Sequence, residues 1–132
     1  MNTDSNIRFV DEMHEAFYVQ QSQKLRPDVY LRCLIYTLGI CDVTRRNFNS
    51  IYDASDGTIN LEAIFHGWQT GSTLKITRLA FQLFTNTTPT AFLDYGGDID
   101  ECRRYSVSDI FCCSFAPYFI EAISLRYPEY CY

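Results

Sequence analysis

The chain has 132 residues, of which 47% are hydrophobic, 16% aromatic and 20% charged. That is enough apolar material for one core, and four prolines and six glycines are too few for a disordered or collagen-like chain. Eleven basic against sixteen acidic residues leave a net charge of −5, which disfavours nonspecific binding to DNA or anionic membrane and favours a basic partner.

Ile7 to Leu25 is predicted as an amphipathic helix, because Phe9, Val10, Met13 and Phe17 recur at spacings of three and four. Asp4 or Ser5 would cap it, with Asp11 and Glu12 in its early turns. Arg26-Pro27-Asp28 breaks that helix and starts a second one, with Pro27 near its first position. Val29, Tyr30, Leu31, Leu34, Ile35, Tyr36 and Leu38 make the second helix apolar on more than one face, the pattern of a central buried helix. Gly39 would end it, and Asp42 would cap a third short helix reaching about Ile51.

Tyr52 to Gly57 reads as a loop, Asn60 to Phe65 as a short helical or extended piece, and His66 to Ser72 as a second loop. Thr73 to Phe84 is predicted helical through Leu74, Ile76, Leu79, Ala80, Leu83 and Phe84, and Asn86-Thr87-Thr88-Pro89 ends it. Between about 90 and 105, a small hairpin or an irregular crossover through Gly96-Gly97 fits equally. Ser106-Val107-Ser108-Asp109 resembles a capping box, with Asp in place of the usual Glu. A helix then runs from Ala116 to about Arg126, and Pro128 stops it. The expectation is a mainly α fold, a single helical domain over residues 1–132.

No apolar run approaches the roughly 20 residues that span a bilayer, and the polar opening from Met1 to Asn6 leads into no apolar signal-like stretch. A cytoplasmic monomer with reduced cysteines is therefore expected. Cys33, Cys41, Cys102, Cys112, Cys113 and Cys131 then read as small buried hydrophobes. Were a metal bound, soft thiolates would select zinc, held by Cys112, Cys113 and Cys131 with His66. Cys112 and Cys113 are adjacent, and on a helix adjacent side chains diverge by about 100°, so only the tertiary fold could assemble that set.

Asp56-Gly57-Thr58-Ile59 copies the middle of a calcium-binding EF-hand loop. The coordinating positions fall on Tyr52, Ala54 and Ala63, which lack the required oxygens, so calcium is rejected. His14, Glu15 and Glu121 are the acid–base candidates, and Cys112 or Cys113 with His66 or His14 the thiolate–imidazole candidates. No nucleophile is placed beside a base by spacing, and Gly96-Gly97 lacks the rest of a phosphate loop. Lys75, Arg78, Arg103 and Arg104 read as a solvated helix face. The pattern carries no catalytic signature.

Three stretches carry a resemblance. They are His66-Gly67-Trp68-Gln69-Thr70-Gly71-Ser72 with Thr77 to Phe81, Ser114 to Phe119 with Glu121-Ala122-Ile123, and Leu125 to Cys131 with its Tyr127-Pro128-Glu129-Tyr130 core. Together they resemble a domain-of-unknown-function family of small proteins from Gram-positive (Firmicutes) bacteria and their phages. The resemblance imports no activity; it implies a small intracellular accessory protein carried on mobile elements.

Two functions are weighed. In the first, an acidic, aromatic-rich globule docks on the basic surface of a protein partner and inhibits a bacterial defence nuclease, a CRISPR nuclease in the anti-CRISPR manner, without touching nucleic acid itself. Its expected contacts are the clustered carboxylates Asp94, Asp98, Asp100 and Glu101; an ordinary solvated loop is the alternative for that stretch. In the second, Trp68, Arg78 and Tyr118 surround a pocket for a small ligand or metal, with hydrolysis as one outcome. In either case Arg78 is expected to satisfy buried carbonyls or the carboxylate of Glu121 or Glu129.

Overall fold

The computed structural model describes residues 6–89 and 99–131. In chain order these form α1 (Glu12–Leu25), α2 (Val29–Leu38), α3 (Asp42–Arg46), α4 (Phe48–Ile51), β1 (Tyr52–Asp53) and β2 (Thr58–Ile59). A 3-10 helix (Leu61–Phe65), α5 (Gly71–Thr85), α6 (Ile99–Arg103), α7 (Val107–Phe111), α8 (Ala116–Arg126) and α9 (Pro128–Cys131) follow. The mainly α expectation holds. The described chain packs as one helical domain.

α2 is the axis. Cys33, Leu34, Ile35, Tyr36 and Leu38 are completely buried, as the many-sided apolar pattern of that segment required. Its largest contacts are with α5 and α8, and α1 lies on a third side. Asp28 caps it by accepting the Leu31 N–H at 2.9 Å, so Pro27 lies before the cap and not near the first helical position. Pro27 instead follows Arg26, which closes α1 in the left-handed conformation (φ 48°).

The start of α1 departs from the sequence expectation. The helix begins at Glu12, capped by Asp11, whose carboxylate accepts the His14 N–H at 2.9 Å. Phe9 and Val10 therefore precede it. The Val10 N–H is donated to His14 Nδ1 at 3.1 Å instead of to a helical carbonyl. Phe9 packs against the rings of His14, Tyr18 and Tyr36. Its helix-like spacing from Met13 is incidental: Met13 is 64% exposed.

Other elements shift for local reasons. The third helix divides into α3 and α4 at Asn47, whose side-chain amide donates to the Val43 carbonyl at 2.8 Å. Cys41 precedes α3 without a side-chain cap, so Asp42 lies inside the helix. The stretch read as a loop from Tyr52 is a two-stranded antiparallel hairpin, pairing Tyr52 with Ile59 and Asp53 with Thr58. Gly57 turns it at φ 71°, a conformation that favours glycine. In the region expected as a hairpin or crossover, 90–98 lies outside the described residues, and 99–103 is helix α6. The reciprocal capping box belongs to α5, between Thr70 and Thr73, rather than to Ser106 and Asp109. Pro128 opens α9 as well as following α8.

His14 joins the N-terminal segment to α2. It is wholly buried, and its Nε2–H donates to the Tyr36 carbonyl at 2.8 Å while Nδ1 accepts from Val10. The Tyr36 hydroxyl in turn donates to the Arg8 carbonyl. Gly39 makes this approach possible, since a Cβ there would lie 2.9 Å from both the His14 and Phe17 rings. Burial pulls the His14 pKa down to about 4, against its hydrogen bond to Tyr36; nearby Arg45 lowers it further and Asp11 opposes. The unfolded chain therefore takes up the proton first. This contribution to stability is complete above a pH of about 6.5 and is lost as pH falls toward about 4, on the order of 3 kcal/mol in all.

Two outcomes are expected. Gly39→Ala should cost about 1–3 kcal/mol in urea unfolding, because the added methyl overpacks the α1–α2 contact. His14→Gln should flatten the loss of stability between about pH 6.5 and about pH 4. Unfolding curves across that range with the same slope in wild type and variant would contradict the assignment.

Candidate functional site

A group of charged side chains lines a cleft of about 520 Å³ between the first half of α5, α6 and α7. Its walls carry Lys75, Arg78, Asp100, Glu101, Arg104 and Asp109. The capping box at Thr70 fixes the start of α5, and Ile76, Thr77, Leu79 and Ala80 are buried. Lys75 and Arg78, three residues apart, consequently share one side of the helix.

Arg78 and Glu101 form the centre. The guanidinium Nε and Nη2 each donate to a Glu101 carboxylate oxygen at 2.7 Å, and the side chains are only 13% and 9% exposed. A bidentate pair of this kind fixes orientation as well as distance. Beside it Tyr105 is buried, and its hydroxyl is pushed well above the usual tyrosine range, by burial first and the Glu101 charge second. It stays protonated at neutral pH. Lys75 Nζ donates to the Asp109 carbonyl in the last turn of α7, and Ser106 caps the start of that helix on the Asp109 N–H. Asp100 and Arg103 form an exposed pair at 3.6 Å, and Arg104 is exposed. The Arg78–Glu101 pair neutralises its own charge and holds α6 against α5, and the Lys75 hydrogen bond to the Asp109 carbonyl holds α7.

Of the four carboxylates expected to meet a partner, Asp94 and Asp98 lie outside the described residues. Asp100 is exposed, whereas Glu101 is committed to Arg78. That pairing also replaces the expected contact of Arg78 with Glu121 or Glu129. Lys75 and Arg78 are thus not the solvated face they resembled, while Arg103 and Arg104 are exposed as read.

Trp68, Arg78 and Tyr118 occupy separate surroundings. Trp68 is half-buried, edge-on to His66 at 6.0 Å between ring centroids. The Arg8 guanidinium lies 5.4 Å from the centroid of Tyr118. Neither residue lines the cleft that Arg78 lines, nor the mainly apolar cleft of about 420 Å³ between α5, α7 and α8. Cys112 and Cys113 lie in the turn between α7 and α8, Cys131 on α9. With His66 they do not assemble: among the described residues, no three His, Cys, Asp or Glu side chains come together in a set able to hold a metal. All six cysteines are free, but the reading of them as small buried hydrophobes holds for Cys33 alone: Cys41 and Cys113 are half-buried, and Cys102, Cys112 and Cys131, in short helices and turns at the surface, are exposed. His14 has both ring nitrogens occupied by backbone groups, so it is not available as a base.

Arg126 is the site that sequence reasoning passed over. Although 92% buried by its 8% exposure, it donates from Nε to the Leu83 carbonyl and from Nη2 to Asn86 Oδ1, both at 3.1 Å. Its guanidinium lies 4.0 Å from the Tyr30 ring centroid and 4.6 Å from that of Tyr127. The only local signal was an arginine beside a tyrosine in the last turn of a helix.

These features define a small helical protein whose buried charges brace its own elements. The chain belongs to the family of unknown function DUF6075, whose model matches residues 4–132. No curated protein and no solved structure matches it. Among the described residues, no helix is long and apolar enough to cross a membrane.

Glu101→Gln should strand the Arg78 charge and cost about 3 kcal/mol in urea unfolding. Replacing both partners, with Arg78→Met and Glu101→Leu, should recover most of that loss. Equal stability of the single variant and wild type would show that the pair does not brace α6.

Proposed function

We propose that this chain is an interaction protein that docks an acidic surface, studded with apolar side chains, on a basic protein partner. The observation that carries this reading is the unequal use of charge. Arg45, Lys75 and Arg126 donate to backbone carbonyls and Arg78 is held in a buried pair with Glu101, so six cations, Arg8, Lys24, Arg26, Arg46, Arg103 and Arg104, are exposed among the described residues. Ten carboxylates are exposed among the same residues, Glu12, Glu15, Asp56, Glu62 and Glu129 among them. Exposed apolar residues lie within three positions of several of them: Met13 (64%) between Glu12 and Glu15, Phe65 (56%) three residues after Glu62, and Tyr130 (84%) directly after Glu129. Carboxylates would steer the encounter and the apolar side chains would supply short-range binding.

The partner we infer is a bacterial defence nuclease of the CRISPR class, whose nucleic-acid groove is basic, with the chain acting in the host cytoplasm as an anti-CRISPR-like inhibitor. Support for that step is electrostatic complementarity and the resemblance of the three sequence stretches to proteins of bacteria and phages. Glu101 takes no part in this surface, because its carboxylate is engaged by Arg78.

A nuclease captured from bacterial lysate should associate about tenfold more slowly with a variant carrying Glu12→Gln, Glu15→Gln, Glu62→Gln, Glu129→Gln, Asp94→Asn, Asp98→Asn and Asp100→Asn, with a shallower salt dependence. Its dissociation rate should change little. Equal association rates at low and high salt for both proteins, or undiminished cleavage by the nuclease in complex with wild type, would refute the reading.

A further inference from the structure

Cys112 and Cys113 are not on a helix. α7 ends at Phe111, and Cys112 turns the chain with φ −81° and ψ 64°. The Cys113 N–H donates to the Phe111 carbonyl at 2.9 Å, closing a three-residue inverse γ-turn centred on Cys112. The helical divergence of neighbouring side chains therefore does not apply. Cys112 is exposed and Cys113 half-buried, its Sγ 3.7 Å from the Ile110 carbonyl. The flanks are held by edge-to-face packing of Phe111 on Phe119, at 5.7 Å between centroids, and by Phe115 on Phe119 at 6.4 Å.

We propose that this vicinal thiol pair is a two-sulfur binding site for a trivalent organic arsenical. Soft thiolates select soft centres. Zinc would need further protein ligands, and none of the described His, Cys, Asp or Glu side chains completes a set of three. A centre that takes two sulfurs and brings its own third substituent has no such requirement. Direct oxidation to a disulfide fits less well. Adjacent Cα atoms lie about 3.8 Å apart across a trans peptide, below the roughly 4.4–6.8 Å that a relaxed disulfide spans. An arsenic atom between the sulfurs lengthens the bridge and relieves that mismatch.

With phenylarsine oxide the reaction forms two As–S bonds and breaks the arsenic–oxygen bond. The two thiol protons leave with the oxygen as one water; arsenic stays trivalent and no electrons are transferred. The second As–S bond forms within the chain, at the high effective concentration set by one intervening peptide.

The test is titration of the reduced, full-length chain with one equivalent of phenylarsine oxide, followed by excess monothiol, then dithiol, with intact mass and peptide mapping at each stage. The wild type should hold one phenylarsenic group on the peptide containing 112–113 through the monothiol wash and release it to the dithiol. Cys112→Ser and Cys113→Ala should each lower retention after monothiol by at least about tenfold, because the second bond is no longer intramolecular. Cys102→Ser and Cys131→Ser should behave as wild type. An adduct that monothiol strips from the wild type, or that survives in Cys112→Ser, or that depends on Cys102 or Cys131, would overturn the proposal.

Discussion

A helix whose residues from Cys33 to Leu38 are all buried has to be enclosed by other helices, and that constraint orders the rest of this protein. α2 contributes an uninterrupted run of buried residues from Cys33 to Leu38, so α1, α5 and α8 must approach it closely. Close approach buries helix ends, and the last carbonyls of a helix lack intrahelical donors. Cations supply them here. Arg45 Nη1 donates to the Gly39 carbonyl just past α2, Arg126 to Leu83 near the end of α5, and Lys75 to Asp109 near the end of α7. Each also places positive charge at the negative end of a helix dipole.

This use of cations has a consequence for the surface. A chain with eleven basic and sixteen acidic residues that turns several of its cations onto its own carbonyls and carboxylates presents a more acidic exterior than its composition implies. The inward charges brace the structure; the proposed docking would rest on the outward ones. Charge at a rim mainly raises association rate and is screened over about 8 Å at physiological ionic strength. The exposed side chains of Met13, Phe65 and Tyr130 would have to supply the contacts that persist after encounter.

The helices α2, α5 and α8 were legible because each is decided by its own apolar periodicity. The start of α1 was not: Phe9 and Val10 repeat at helical spacing, yet tertiary packing on His14 and Tyr36 takes them out of the helix. The split of α3 from α4 turns on one side-chain hydrogen bond from Asn47, which competes locally with helix continuation. At the charged cleft, Arg78 and Glu101 lie 23 positions apart, so periodicity could not join them. Glu101 looked like one of a run of surface acids, and only the fold separates it from Asp100. The thiols of Cys112 and Cys113 were visible as neighbours, but the γ-turn that removes them from a helix depends on how α7 ends.

Side-chain modification by an arginine reagent tests the inward use of cations most directly. With phenylglyoxal under native conditions and mass-spectrometric mapping, Arg45, Arg78 and Arg126 should resist modification while Arg26 and Arg104, which are exposed, react. Unfolding in urea should equalise them. Modification of Arg78 and Arg126 in the folded chain as fast as that of Arg104 would contradict the account, because those charges would then be facing solvent.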